Sequence, residues 1–125
     1  MLFIGLDDTD TAESRGTGHL ARAIASDLGR DLQVLGVTRH QLLVDPRVPC
    51  TRNNSCAAIT IALNGDLEEG ALLERVQSLM LADYQPGSDP GLCVARVVPG
   101  AVVEFGRRAK STLVTQAEAQ SLASV

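Results

Sequence analysis

Three carboxylates within four residues are the densest polar signal in the chain. Asp7, Asp8 and Asp10 directly follow an apolar segment, residues 2–6, that predicts a short buried strand. Carboxylates this close repel one another unless a cation lies among them. They suit Mg²⁺, which commonly takes one or two protein carboxylates together with phosphate oxygens. The cluster therefore predicts a metal site, and the alternative is a solvated turn whose aspartates hydrogen-bond their own backbone.

Two glycines flank a threonine immediately before the first predicted helix. Gly16, Thr17 and Gly18 precede His19 and an apolar pattern with helical spacing. Glycines let backbone N–H groups approach a ligand closely, and a helix N-terminus carries partial positive charge. The segment therefore predicts a site for nucleotide phosphate. The alternative is a plain turn and helix cap, in which His19 is a capping or surface histidine.

A third polar segment, residues 51–55, leads into the strongest strand pattern. Arg52 in this segment is suited to bind phosphate, and the amide of Asn54 is suited to orient a base or ribose. Lys110 is the only lysine beside ten arginines, and no G-x-x-x-x-G-K-[ST] run occurs. This excludes a P-loop and predicts that any side-chain cation on the phosphate is an arginine.

Hydrophobic periodicity places these segments at the ends of predicted elements. The apolar spacing from Gly18 to Leu28 indicates a helix that Gly29 closes, and Asp66 with Glu69 resembles a capping box for a second helix. The other predicted elements are strands at 2–6, 34–44, 57–63 and 92–98, a helical face of Leu72, Leu73, Val76, Leu79 and Met80, a helix at 101–109, and a short helix capped by Thr115 with Glu118.

The order β-α-β-β-α-β, followed by helices, is typical of a two-layer α/β sandwich of the ferredoxin-like or a related type. A right-handed crossover makes the first and second strands parallel, with the third antiparallel between them and the fourth on the other side of the first. Loops 7–17, 45–54 and 85–91 then meet at one edge of the sheet. The residues expected to line one cleft there are Asp7, Asp8, Arg52 and Asn54.

The bulk composition indicates one globular domain with little capacity to hold nucleic acid. We predict a single domain over residues 1–125, since this length suffices for one core and not for two. The net charge is −4, whereas tight binding of nucleic acid depends on many Lys and Arg contacts to phosphate. Phe3, Tyr84 and Phe105 are too few for a platform on which bases stack. We therefore expect no tight nucleic-acid binding by this chain alone.

The cysteines and the N-terminal segment indicate a cytoplasmic protein. Cys50, Cys56 and Cys93 are odd in number and lack a C-x-x-C pair, which predicts reduced thiols packed as small apolar groups. Their spacing to the two histidines does not support a zinc site. Residues 1–6 are apolar but too few for a signal peptide or a membrane span. The expected partner is a nucleotide and not a membrane, and a partner protein or a homo-oligomer remains open.

The segment Gly5-Leu6-Asp7-Asp8-Thr9-Asp10-Thr11 resembles the opening of the archaeal agmatidine synthetases, ATP-dependent enzymes that modify a cytidine in an isoleucine tRNA. Their first domain is kinase-like without a P-loop and begins with a strand running into G-[IV]-D-D-T-D-[ST], followed by an R-G segment. It later carries a proline-containing loop ending in T-R-G-N-G, which Pro49 and Thr51-Arg52-Asn53-Asn54-Ser55 resemble. Weaker matches are Asp89-Pro90-Gly91 and Ala109-Lys110. The resemblance covers most of the chain.

The resemblance implies a standalone kinase-like domain that binds Mg²⁺ and ATP and transfers phosphoryl groups, mainly by positioning and charge stabilisation. Asp7, Asp8 and Asp10 would hold the metal, or one of them would orient a nucleophile. The residues implied to bind the nucleotide are Gly16, Thr17, Gly18, Arg52 and Asn54. The residues implied to be catalytic are Asp7, Asp8, Asp10, Thr17 and Arg52.

The chain also departs from the family pattern. Cys50 occupies the place of the family's lysine, and the family's phosphorylated threonine matches Thr17 when a gap is allowed. The full enzymes carry further domains, including a nucleic-acid-binding fold and a zinc ribbon, for which this length leaves no room. Three interpretations stay open: an ATP-dependent phosphotransferase or ATPase, a non-catalytic nucleotide- or metal-binding subunit that acts with a partner protein, and a structural domain without a ligand.

Overall fold

Strands and helices alternate through most of the computed structural model, which describes residues 1–11, 13–50, 54–63 and 67–123. In chain order the elements are β1 (Leu2–Asp7), α1 (Thr17–Leu28), β2 (Gln33–Gln41), β3 (Ser55–Ala62), α2 (Glu69–Ala82), β4 (Gly91–Ala95), α3 (Gly100–Ser111) and α4 (Gln116–Ala123).

The four strands form one sheet in the order β2-β3-β1-β4, and every neighbouring pair is antiparallel. β1 and β2 consequently run in the same direction with β3 between them, as a right-handed crossover through α1 requires. The predicted two-layer α/β sandwich and its strand order are confirmed. The C-terminal ends of β1 and β2 therefore lie at the same edge as the starts of β3 and β4.

The core lies between one face of the sheet and the two helices α1 and α2. Alternate residues of β1 and β3 point into it, as the period of two in a strand demands. Its buried residues are Leu2, Ile4, Leu6, Leu20, Ala21, Ile24, Ala25, Leu28, Ala57, Ile59, Ile61, Leu72, Val76 and Met80. Leu73 was predicted on the buried face of α2 but is 38% exposed, because the helical period turns it away from Leu72.

Two strands are shorter than their apolar runs predict. β2 ends at Gln41 rather than at residue 44, because the pairing with β3 ends there. Leu42 N–H still donates in the same register to the carbonyl of Asn54 at 2.6 Å, whereas Leu43 N–H leaves the ladder and donates to the carbonyl of Ala109 at 3.0 Å. β4 likewise ends before residues 96–98, since its ladder with β1 runs out.

Most helix ends agree with the prediction. α1 begins at Thr17, and Gly29 caps its C-terminus. The Oγ1 atom of Thr115 accepts a hydrogen bond from Glu118 N–H at 3.2 Å, which confirms the predicted cap of α4.

α2 begins later than a capping box of Asp66 and Glu69 would place its start. The helix begins at Glu69 with Glu68 at the N-cap and without a side-chain cap bond, and Asp66 lies outside the described residues. The first intrahelical bond runs from Leu72 N–H to the carbonyl of Glu68 at 3.1 Å. Leu72, which makes this bond, is also the first buried residue of α2.

The C-terminal helices α3 and α4 lie outside this core. Neither has a buried residue, and an ion pair between Arg108 and Glu118 joins them. The last turn of α3 reaches the sheet, where Lys110 Nζ lies 3.3 Å from His40 Nδ1. Within the described part of the chain, no helix has the length and apolarity that crossing a membrane needs.

Candidate functional site

The aspartate-rich turn begins where β1 leaves the sheet. Asp7 is the last residue of β1 and lies on the face opposite Leu6, which points into the core. Asp8 has a φ of 50°, in the left-handed region that Asp and Asn tolerate better than most residues. This conformation turns the chain so that Asp7 and Asp8 stay exposed while Thr9 is buried.

A buried pair of threonines ties this turn to the start of α1. Thr9 donates from its hydroxyl to Thr17 Oγ1 at 3.0 Å and from its backbone N–H to the same oxygen at 3.4 Å. The two are 4% and 5% exposed and are the buried polar residues of the described chain. Buried polar groups need hydrogen-bond partners, and these two bonds supply them. The bonds also fix the aspartate-rich turn relative to the N-terminus of α1.

Asp7, Asp8, Asp10 and Asn54 line one cleft of about 210 Å³, here called the acidic cleft. The prediction that loops 7–17 and 45–54 meet at this edge is therefore confirmed. Asn54 Nδ2 donates to the carbonyl of Leu43 at 2.8 Å, so its side chain also holds the end of β2 in place. The other lining residues are Leu42, Leu43, Val48, Pro49, Cys50, Ser55, Ala109, Thr112 and Val114.

The third predicted loop, residues 85–91, reaches the same edge. The backbone of Asp89 hydrogen-bonds the carboxylate of Asp8, and Gly91 lies opposite Asp7 in the ladder between β1 and β4. Gly87 has a φ of 96°, a conformation that glycine adopts without strain. All three loops singled out in the sequence thus converge at the end of β1.

Carboxylate crowding is visible in the pKa values of this turn. Partial desolvation by neighbouring atoms raises the pKa of Asp7 although the residue is exposed, and the charge of Asp10 raises it further, against a hydrogen bond from the backbone of Asp8. Partial desolvation also raises the pKa of Asp8, with additional increases from the charges of Asp7, Asp89 and Asp10. A cation among these groups would relieve the repulsion.

The carboxylates are not assembled into a closed metal cage. Among the described residues, no group of three or more His, Cys, Asp or Glu side chains is arranged to hold a metal ion. Mg²⁺ keeps several waters and often uses one or two carboxylates with phosphate oxygens. Asp7, Asp8 and Asp10 could supply one or two such carboxylates to a magnesium ion that arrives with a phosphate.

A second cleft of about 300 Å³, here called the basic cleft, opens at the start of α1. Gly16 is the N-cap, makes no side-chain cap bond, and no acidic residue lies in the first turn, so the helix start keeps its positive character. The residues lining the basic cleft are Asp10, Thr11, Ser14, Gly16, Thr17, Gly18, His19, Arg22, Arg39 and Ser55.

The two clefts are joined, because Asp10 and Ser55 line both of them. The structure thus divides the predicted site residues between two neighbouring spaces, with the aspartates and Asn54 in one and the glycines with Thr17 in the other. Arg22 and Arg39 were not predicted from the sequence. The available signal was the position of Arg22 one helical turn after Gly18.

Arg52, predicted to contact phosphate, lies outside the described residues, and its role stays a prediction. The cysteine prediction needs a correction. All three thiols are free, but Cys50 and Cys93 are exposed rather than packed as small apolar groups. Cys50 lies in a loop, and Cys93 lies on the sheet face that α1 and α2 leave uncovered. Cys56 is half-buried, and burial raises its pKa.

Comparison with solved structures identifies the fold around this site. The chain matches TiaS in a complex with an isoleucine tRNA and ATP over 97% of its own length and 30% of that chain, with a TM-score of 0.76 and 22% identity. The chain has the fold of one part of TiaS. Apo TiaS, the agmatidine synthetase of an isoleucine tRNA, matches with a TM-score of 0.75 and 22% identity, over 97% of this chain and 29% of the TiaS chain. TiaS in a complex with the tRNA, AMPCPP and agmatine matches with a TM-score of 0.77 and 19% identity, again over 97% of this chain and 29% of the TiaS chain.

This likeness to TiaS confirms the predicted resemblance as a shared fold. Identities of 19 to 22% carry the argument no further than the fold, and the chain spans about 30% of the length of the TiaS chains it matches. No family model and no curated protein matches this chain.

Proposed function

We propose that this chain binds a nucleoside triphosphate, with ATP as the expected ligand, together with Mg²⁺ in the two joined clefts. The observation that carries the proposal is the junction at Asp10 and Ser55, where a space lined by carboxylates meets a space lined by cations and a helix N-terminus. A magnesium polyphosphate has the matching division of charge. If the aspartate-rich turn and the start of α1 lay at different edges of the sheet, the two clefts would not meet.

The residues divide the work by their chemistry. Asp7, Asp8 and Asp10 would take the metal, whose charge neutralises phosphate oxygens when it is bound. The backbone at the start of α1, around Gly16 and Gly18, would donate hydrogen bonds to phosphate. Arg52 remains proposed as a further cation, with Asn54 in place beside its loop.

The TiaS structures support ATP as the ligand. TiaS has been solved with an isoleucine tRNA and either ATP or AMPCPP, and this chain shares the fold of part of it. We also propose that the chain is a kinase-like domain that works in the cytoplasm, which agrees with its likeness to part of TiaS.

Binding without phosphoryl transfer is the second candidate, and the burial of Thr17 favours it. The resemblance implies that this threonine accepts a phosphoryl group, yet the residue is 5% exposed and its hydroxyl oxygen accepts two hydrogen bonds from Thr9. A hydroxyl in this environment cannot attack a phosphate without local opening. A nucleotide-binding subunit that acts with a partner protein needs no such attack.

A thermal-shift experiment tests the binding proposal. We expect Mg²⁺ and ATP together to raise the melting temperature more than either alone, because the metal and the phosphates complete each other's coordination. At 100 times the dissociation constant, the bound ligand adds about 2.7 kcal/mol to the free energy of unfolding. An unchanged melting temperature with every common nucleoside triphosphate, in Mg²⁺ or Mn²⁺, would overturn the proposal.

The choice between the two candidates depends on turnover. Steady release of ADP from ATP by the purified chain, absent in an Asp8→Asn variant, would establish a phosphotransferase or ATPase. Saturable nucleotide binding without release of ADP and without phosphate on Thr17 would establish the binding subunit. Mass spectrometry of the intact chain after incubation with Mg²⁺ and ATP reports directly whether Thr17 carries phosphate.

A further inference from the structure

The arginines of this chain fall into two groups according to their partners. Nine of the ten lie in the described residues, and six of these pair with carboxylates: Arg30, Arg47, Arg75, Arg96, Arg107 and Arg108. The other three, Arg15, Arg22 and Arg39, have no carboxylate partner within the described part of the chain. Guanidinium groups that no carboxylate neutralises are suited to an external anion.

All three of these arginines lie at or beside the basic cleft. Arg22 from α1 and Arg39 from β2 line it directly. Arg15 Nη1 lies 3.0 Å from Nε2 of His19, which also lines the cleft. Three segments of the chain thus direct these cations to one space.

Arg22 folds back over the first turn of its own helix. A methyl group built on Gly18 would lie 3.6 Å from Arg22 Nη1, so the guanidinium lies beside the helix N-terminus. A cation at this end opposes the helix dipole, which favours negative charge there. The first turn itself contains no acidic residue, and the carboxylate beside the N-cap is that of Asp10, whose Oδ2 would lie 3.9 Å from a methyl group built on Gly16. One carboxylate does not balance two guanidinium groups in the basic cleft, so a polyanion there would be favoured.

Arg39 approaches the same space from the sheet. Its Nη2 donates to Gln41 Oε1, a neutral acceptor, at 3.2 Å, which orients the guanidinium without neutralising it. β2 is an edge strand, so the side chain has no further strand beside it. The basic cleft therefore has a cation on its helix side and another on its sheet side.

We propose that Arg22 and Arg39 clamp the polyphosphate chain of the nucleotide from two sides and make the site select triphosphates over monophosphates. This inference rests on the proposed function and adds the residues that set its phosphate specificity. A triphosphate is long enough to contact both arginines and still present oxygens near Asp10. A single phosphate is too short to contact Arg22 and Arg39 in the basic cleft and also reach Asp7 and Asp8, which line only the acidic cleft. Recognition of phosphate number does not require contacts to the base.

Charge-neutral variants and ligands of different phosphate number test the clamp. We expect Arg22→Gln and Arg39→Gln each to weaken Mg²⁺–ATP binding about tenfold, which is the loss of one charge-assisted contact. Binding of Mg²⁺ with inorganic tripolyphosphate should weaken equally, and the preference for ATP over AMP should shrink. Isothermal titration calorimetry measures each dissociation constant.

Arg30→Gln is the matched control, since Arg30 lies just after the same helix at its other end and pairs with Asp27. It should bind Mg²⁺–ATP as the wild type does. The ligand-free melting temperature of Arg22→Gln should equal or exceed that of the wild type, because the variant removes a cation from a helix N-terminus. A purely structural role of Arg22 would lower it instead.

The outcomes separate the two proposals. Wild-type affinity for Mg²⁺–ATP in both cleft variants would overturn the clamp and leave the proposed function standing. Wild-type protein that binds neither ATP nor tripolyphosphate would overturn both. Tight binding of ATP but not of tripolyphosphate, with unchanged affinity in the variants, would assign specificity to the base and overturn the clamp alone.

Discussion

At the scale of single residues, Asp8 combines local strain with electrostatic repulsion. Its φ of 50° puts it in the left-handed region, where no other non-glycine residue of the described chain lies. Partial desolvation and the charges of Asp7, Asp89 and Asp10 raise its pKa. Strained and repulsive positions of this kind are concentrated at functional sites. The residue is therefore expected to cost stability in the ligand-free protein and to contribute to binding.

Asp8→Asn should raise the ligand-free melting temperature at neutral pH and weaken Mg²⁺–ATP binding at least about tenfold. Asparagine tolerates the left-handed backbone and keeps an acceptor for the backbone of Asp89, so the change removes mainly the charge. Differential scanning calorimetry and titration calorimetry measure the two effects. A lower melting temperature together with unchanged nucleotide affinity would exclude this account of Asp8.

The pH dependence of this substitution has a definite sign. A raised folded-state pKa means that ionised Asp8 destabilises the folded protein above that pKa, and the penalty disappears as the pH falls through it. The advantage of Asp8→Asn should therefore shrink from neutral pH towards acid.

Asp31 is the opposite case, because the hydrogen bond from Arg75 lowers its pKa. Asp31→Asn should lower the melting temperature at neutral pH, and its deficit should shrink in acid.

At the scale of elements, α3 and α4 form the weakly anchored part of the fold. They have no buried residues, whereas six residues of α1 are buried. The end of α3 nevertheless lines the acidic cleft through Ala109, whose carbonyl accepts a hydrogen bond from Leu43 N–H. An element with few buried contacts opens locally at low free-energy cost, and a ligand beside it can stabilise it.

Hydrogen exchange should show this difference. Amides of α3 are expected to exchange at least about tenfold faster than those of α1 in the ligand-free protein. Mg²⁺–ATP should slow exchange in the last turn of α3 more than at its start, because the last turn borders the cleft. Exchange followed by mass spectrometry of peptides from both helices provides the measurement. Equal protection of α1 and α3 without ligand would contradict the assignment.

At the scale of the whole molecule, opposite charges are separated within an acidic chain. The net charge is −4, and Arg22 and Arg39 line one cleft of about 300 Å³. We expect this cleft to take the phosphates of one nucleotide rather than the backbone of a nucleic acid. The TiaS complexes that contain tRNA are formed by chains of which this one spans 29 to 30%.

The isolated chain should bind tRNA no more tightly than about 1 μM at physiological salt, as expected for non-specific electrostatic binding. Its weak binding should fall steeply as salt rises and should not distinguish one tRNA from another. Filter binding with an isoleucine tRNA and an unrelated tRNA at two salt concentrations provides the test. Sub-micromolar binding that prefers one tRNA would contradict this prediction and support a complete modification enzyme.

The sequence alone determined the layers of this protein and the segments of its site. The alternation in β3 and the helical spacing in α1 predicted which of their residues face the core, because side-chain direction follows directly from the backbone period. The apolar run of residues 2–6 predicted β1 as a buried strand. The crossover rule then predicted the strand order. With the order known, the carboxylates after β1 and Asn54 before β3 had to meet at one edge of the sheet.

Only the tertiary structure decided the ends of β2 and β4 and the membership of the basic cleft. A strand continues as far as its neighbour pairs with it, so the apolar run of residues 34–44 could not reveal that the ladder stops at Gln41. Arg22 and Arg39 belong to different elements, and each alone is an ordinary surface arginine. Their convergence depends on how α1 packs across the sheet, which is set by long-range contacts and not by local spacing.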